Sequence, residues 1–391
     1  MLSYPHVLLP LTFGAISHAS FFIAIHLSWY RRICVSFLLF GSAIMSMHTS
    51  SHLSSLPFPG IPVYWNIFNC VWMHHALSVL FLDPRPVPPT PTRSQTWLWT
   101  YKIWNDTQRQ VDCSLNAINA PRRTAAVSSI IIFVILRVVK ISLCWLLHFY
   151  VISPQLMRHF HLTGLEFSSW RQNYFRRIIW PLRGVPIDMR ETQIRAVMSV
   201  YWIWTSYLQL DTAYILLSIL FVAVLKVDIP QEWPSLFGNI WDAYSVRRFW
   251  TKFWHGIGVK ACLSSSRLLI PRAINRGSRV EKFFIAFWAF FVSGVLHAIA
   301  DWEAGEAVFP IKEMQFFLAN FAAGAIETLF VKGIKAAFKG SKFEPLVEAK
   351  LIGRLVGYLW VFGFFFWSAP KWQYPKLFAK SMEAQYGEYL G

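Results

Sequence analysis

Apolar runs about 20 residues long recur from one end of the chain to the other, separated by stretches rich in Arg, Lys, Pro and aromatic residues. A helix crossing the hydrocarbon core needs about 20 mainly apolar residues, because lipid offers backbone N–H and C=O groups no partner. Scanning at that length predicts spans over residues 7–27, 33–52, 63–82, 127–152, 196–225, 283–300, 314–332 and 351–367, about eight in all, with 33–52 the polar outlier. Basic connections fall at 83–123, 154–195 and 226–282, and the proline density of 84–91 disfavours continuous helix. Trp97, Trp99, Tyr101 and Trp104, and again Trp360, Trp367, Trp372 and Tyr374, gather at block ends as interfacial aromatic residues do. The pattern predicts an all-α, polytopic membrane protein with basic interfacial loops, built as one integral-membrane domain over 1–391. The first block has no basic n-region and no small-residue cleavage site before Arg31 and Arg32, so it reads as a retained helix.

Composition agrees. Of the 391 residues 55% are hydrophobic and 15% charged, against about 25% charged in soluble domains. Disorder, collagen and a disulfide-stapled secreted fold are excluded on the same ground, and no solenoid repeat or heptad is present. Lys and Arg number 37 against 20 Asp and Glu, a formal net charge of +17. That charge lies in loops between apolar blocks, where it meets lipid headgroups and sets topology, so nucleic acid is not an expected partner. Cys34, Cys70, Cys113, Cys144 and Cys262 show neither CxxC nor Cys/His ligand spacing and read as packing residues.

Candidate chemistry concentrates in two stretches. Residues 234–260 (PSLFGNIWDAYSVRRFWTKFWHGIGVK) combine Arg247, Arg248 and Lys252 with Trp250, Trp254 and His255. Alone, such a run reads as an amphipathic interfacial helix with its cations on lipid phosphates. Residues 283–302 (FFIAFWAFFVSGVLHAIADW) end an aromatic, uncharged run on His297. A membrane histidine can simply bond a neighbouring helix, yet an ionisable group there is a functional candidate by default. Gly294, three residues earlier on the same face, admits close approach by a backbone or ligand, and Asp301, one turn later, is placed either to orient the ring or, at a helix end, to be solvated. Arg137, Lys140 and Asp211 also lie inside apolar spans and must snorkel, pair or line a hydrated cavity. Asn105-Asp106-Thr107 forms a glycosylation sequon, expected to be unused in a basic loop. No GxxxxGK[ST], GxSxG, HExxH or NDxxD motif is present.

Together, LFGN at 236–239, the SVRRFW and FWH runs within 245–255, and FVSGVLH at 291–297 resemble the wax synthase branch of the membrane-bound O-acyltransferases. Within that branch the resemblance is to fungal enzymes that acetylate terpenoid and meroterpenoid alcohols. It covers 234–302 at motif level, and INAP at 118–121 in the basic segment 109–122 looks like a weak copy of a family loop. Two positions depart: Thr251 stands where the family usually has Gly, and Gly256 where it often has Gln.

The resemblance implies helices enclosing a reaction chamber, an endoplasmic-reticulum membrane, acetyl-CoA as co-substrate, and no permanent cofactor or metal. The implied partners are membrane lipids, acyl-CoA and a lipophilic alcohol. His297 would be the general base that takes the alcohol proton during attack on the thioester, a role suited to imidazole. His255 would be a second catalytic polar residue on the chamber. Arg247, Arg248 and Lys252, with Trp250 and Trp254, would line a cationic CoA entrance, although each cation equally suits anionic lipid or orientation. The rival readings are a long-chain wax-ester synthase, a transporter using Arg137, Lys140 and Asp211, and a non-catalytic lipid-binding scaffold.

Overall fold

The computed structural model describes residues 4–56, 60–85, 87, 92–106, 126–180, 186–271, 274–305, 310–340 and 350–390. The INAP run and Cys113 lie outside them. The described residues form helices joined by turns and loops, with no strand among them. The principal helices are α1 (Tyr4–Ala24), α2 (Trp29–His48), α3 (Ile61–Leu77), α4 (Arg93–Asn105) and α5 (Val127–Leu146). They are followed by α6 (Ser153–Phe160), α7 (Met189–Ile219), α8 (Val259–Ser266), α9 (Arg279–Glu303), α10 (Pro310–Ala337) and α11 (Lys350–Leu390).

Among the described residues six helices are long and apolar enough to cross a membrane: His6–Ala24, Val127–Phe160, Met189–Val224, Arg279–Glu303, Pro310–Ala337 and Leu351–Glu383. They coincide with six of the eight expected spans. The other two expected spans form α2 and α3, of 20 and 17 residues, which fall outside the six. The chain divides into two compact units, one of Met1–Pro121 with Gly256–Leu318, the other of Arg122–His255 with Ala319–Gly391.

In the first unit α1 packs along α2, and α3 lies against α9 and α8. The core is Phe21, Ala24, Leu39, Trp72, Val79, Leu80 and Ile103. The polarity of α2 has a structural outlet. Ser36 and Ser42 return their hydroxyls to carbonyls one turn back, and Ser46 donates to Pro10 O (2.6 Å) while accepting from Trp65 Nε1 (2.9 Å). Buried hydroxyls thus cross-link helices where lipid gives no hydrophobic drive for association. Arg32 donates to Ala24 O, Leu27 O and Leu80 O, satisfying carbonyls orphaned at helix ends. Asp106 of the sequon is buried and paired with Arg85 at 2.6 Å.

In the second unit α5 has no buried residue, and Ile131, Ile132, Ile135 and Leu136 are exposed, so lipid must cover it. The intramembrane charges are satisfied within the unit. Lys140 Nζ meets Asp211 Oδ2 of α7 at 2.6 Å. Arg137 donates to Trp233 O and stacks over Phe133 and Tyr214. The basic connection 154–195 builds an ionic network: Glu166 meets Arg171 and Arg190, and Glu191 meets Arg171 and Arg177.

The last span runs past its expected end at 367, because α11 continues through Pro370 and Pro375. A proline lacks the N–H that would bond the carbonyl four residues back and crowds that carbonyl, which normally breaks the helix. Here the fully buried Arg195 of α7 supplies the donor that Pro370 lacks, Nε to Phe366 O at 2.9 Å, and its Nη2 also donates to Trp367 O at 3.3 Å. Arg195→Ala is therefore expected to cost about 1–3 kcal/mol for each buried carbonyl left without a donor. The check is the thermal aggregation midpoint in detergent; a midpoint equal to wild type would show the carbonyls finding other donors.

Candidate active site

In the first unit α9 begins on Ser278, whose hydroxyl accepts from Glu281 N (3.1 Å) and so satisfies one of the free N-terminal donors. Halfway along, Trp288 Nε1 donates to Ser265 Oγ of α8 at 2.8 Å, and His74 Nε2 of α3 lies 3.0 Å from the same oxygen. That hydroxyl also donates to Ala261 O, so it ties three helices together with its capacity filled. Nearer the C-terminus the buried Asn66 of α3 donates to Ala300 O, three residues beyond His297. These bonds hold the helix face that carries the histidine.

Gly294 performs the role its position suggested, toward a neighbouring backbone. A Cβ there would lie 2.9 Å from Met314 Sδ and 3.2 Å from Met314 Cα, so only glycine lets α10 come this close. The approach sets Phe317 against the His297 ring, centroids 4.8 Å apart, and brings Glu313 Oε2 to 4.0 Å from His297 Nδ1. The His297 side chain is 34% exposed, whereas Glu313 is fully buried. Cys262 on α8 is buried, which pushes its thiol up to about 12, so it stays protonated and packs as expected.

In the second unit residues 234–255 do not form the single amphipathic helix that their pattern suggests in isolation. They fold as short turns at Ile240–Asp242, Val246–Arg248 and Phe249–Phe253, the last a π turn, and Trp254 then leaves in an extended conformation. The cause is backbone pairing at Gly238, whose N–H donates to Phe253 O at 2.9 Å across a gap too narrow for a side chain. Ser245 Oγ caps Arg248 N, and Glu327 Oε2 of α10 accepts from Val246 N at 2.7 Å and from Trp360 Nε1 at 3.0 Å.

The loop carries six of the seven site residues expected from sequence. Arg247 and Lys252 are exposed cations. Arg248 is engaged with Asp242 and lies over the Tyr244 ring at 4.4 Å, so it braces the loop. Trp250 Nε1 donates to Asn320 Oδ1 at 2.8 Å. Trp254 stacks on Phe249 and meets Trp202, Phe237 and His255, and the His255 and Phe237 rings meet in a T-shaped contact at 5.8 Å. The seventh, His297, belongs to the first unit. Both family departures fit sterically: Thr251 Oγ1 donates to Arg247 O, and a Cβ at Gly256 would meet nothing within 4 Å.

Glu313, Glu327 and Asn320 were not singled out in sequence. Glu313 stands one residue before the expected span at 314, where it reads as an ordinary flanking charge.

Residues 233–319 match the sequence profile of the Membrane bound O-acyl transferase family. The match contains His255, His297 and Glu313. The chain is also 32% identical over 192 residues to the acetyltransferase atnC of Arthrinium sp., covering 48% of this chain and 43% of the relative. It is 31% identical over 198 residues to the acetyltransferase ple2 of Rhodocybe pseudopiperita, covering 49% and 48%. With the acetyltransferase TRI7 of Fusarium sporotrichioides it is 29% identical over 185 residues, covering 45% and 40%. The chain thus spans less than half the length of each of these relatives. No solved structure resembles it significantly. The segment that carries the histidine-bearing aromatic span and the loop before it is thus the part of this chain that is similar to the Membrane bound O-acyl transferase family.

Proposed function

We propose that the protein is an O-acyltransferase that moves acetyl from acetyl-CoA to a hydroxyl of a lipophilic, terpenoid-type alcohol in the endoplasmic-reticulum membrane. The observation that carries the reading is His297: a half-buried imidazole on an otherwise aromatic and apolar stretch of α9, braced by Phe317 and backed by a buried carboxylate. A neutral alcohol is a poor nucleophile, and a base within hydrogen-bond reach lowers the barrier by taking its proton as the new bond forms. With Nδ1 turned toward Glu313, Nε2 is the nitrogen that serves the acceptor.

The step balances without another reactant. The alcohol oxygen bonds to the thioester carbonyl carbon, its proton passes to His297, the C–S bond breaks, and the imidazolium returns the proton to the CoA sulfur. Ester and free CoA are the products. His255 supports the carbonyl or the acceptor hydroxyl, and Trp250 and Trp254 form the apolar wall of the CoA stretch. Arg247 and Lys252 hold CoA phosphates at the aqueous boundary, while Arg248 contributes by fixing the loop. The acetyltransferase names of the relatives favour a short acyl group.

The test uses membranes carrying the full chain, radiolabelled acetyl-CoA or palmitoyl-CoA, and farnesol or hexadecanol as probe acceptors. Acetyl transfer to farnesol, competed weakly by palmitoyl-CoA, is the expected result. Preferential palmitoyl transfer to hexadecanol would replace this reading with wax-ester synthesis, and acyl transfer to neither alcohol would overturn it.

A further inference from the structure

A carboxylate inside an apolar helix bundle is retained against the cost of burying its charge, so its surroundings indicate its use. Glu313 is fully buried in the first turn of α10, and its Oε2 lies 4.0 Å from Nδ1 of His297. The contact depends on the approach of α10 to α9 at Gly294, where Met314 and Phe317 occupy the space a side chain would need. Phe317, one turn after Glu313, packs on the face of the same imidazole at 4.8 Å. One helix turn therefore delivers both a ring that limits imidazole rotation and a carboxyl group at one of its nitrogens.

We propose that Glu313 is the positioning residue of the acyl transfer, holding Nδ1 of His297 so that Nε2 faces the acceptor hydroxyl, and stabilising the imidazolium formed when His297 takes the proton. This rests on the assignment of His297 as the base. At 4.0 Å the pair is within ion-pair reach but longer than a hydrogen bond; contacts of this kind are commonly long in the free enzyme and close when substrate binds. Two requirements follow from the chemistry. The side chain must be anionic to favour imidazolium, and it must act only through His297. A carboxylate serving merely to occupy the start of α10 would meet neither.

The experiment compares Glu313→Gln, which keeps size and hydrogen bonding but removes charge, with Glu313→Asp, which keeps charge on a shorter stem. Both are assayed as full-length protein in membranes with acetyl-CoA and farnesol. Glu313→Gln is expected to lower kcat by at least about tenfold with KM for acetyl-CoA changed by less than about twofold, and Glu313→Asp to retain more turnover than Glu313→Gln. Added to His297→Ala, Glu313→Gln should cause no further loss. Turnover of Glu313→Gln equal to or above that of Glu313→Asp overturns the proposal, as does a further loss in the His297→Ala background. Should Glu313→Gln fail to accumulate, Glu313→Asp decides: a loss of kcat that vanishes in the His297→Ala background upholds the role, and a loss that persists there, or none at all, removes it. Full activity of His297→Ala would instead defeat the base assignment, whereas an inactive His297→Ala beside an unimpaired Glu313→Gln defeats this proposal alone.

Discussion

His297→Ala is expected to lower acetyl transfer by about 10²–10⁴-fold, the usual worth of a positioned general base. The alanine removes the proposed proton acceptor, while the contacts that seat α9 remain: Trp288 to Ser265, Asn66 to Ala300, and α10 against Gly294. The variant should therefore accumulate in membranes like wild type and lose kcat, with KM for acetyl-CoA little changed, since the ring contributes to the transition state more than to ground-state binding. The measurement is steady-state transfer of labelled acetyl to farnesol at equal membrane abundance. Equal turnover by the two proteins would remove His297 from the chemistry. A large rise in KM at constant kcat would make it a binding residue.

The second large effect is expected at Gly238→Ala. A Cβ at that position would lie 1.9 Å from Lys252 O and 3.0 Å from Lys252 C, against backbone that cannot swing aside as a flexible side chain would. The added methyl must part the two backbone segments joined by the Gly238 N–H to Phe253 O bond, and the two residues after Phe253 are Trp254 and His255. Overpacking of this kind costs about 1–3 kcal/mol or more, and each 1.4 kcal/mol carried into the transition state is about tenfold in rate. Acetyl transfer should fall more than about tenfold, with reduced thermal stability in detergent. Gly256→Ala is the contrasting substitution, because a Cβ there meets open space and activity should stay near wild type. Equal behaviour of the two alanines would mean that the narrow gap at Gly238 does not hold the loop.

Much of the fold was legible because lipid imposes a local rule. A segment either carries enough consecutive apolar residues to cross or it does not, so all eight predicted spans are helical and six meet the length and hydropathy of a crossing. The rule says little about where a helix stops once protein shields it. Pro370 signals an end near 367, and the helix continues because a guanidinium from α7, 171 residues away in sequence, serves the carbonyl that the proline leaves open. Residues 234–255 misled in the opposite direction. Their amphipathic composition suits one helix, whereas pairing at Gly238 divides them into turns and makes Arg248 a brace within the loop.

By itself the sequence determined the membrane-spanning character, the basic connections and the placement of His297 on an aromatic helix, since each depends only on residue type and spacing along the chain. The tertiary structure decided which groups work together. Glu313 meets His297 because two helices close on a glycine, and Arg195 meets the Phe366 carbonyl that Pro370 leaves open because α7 lies against α11. Such pairings follow from the distance between backbones in space, which no periodicity along one helix encodes.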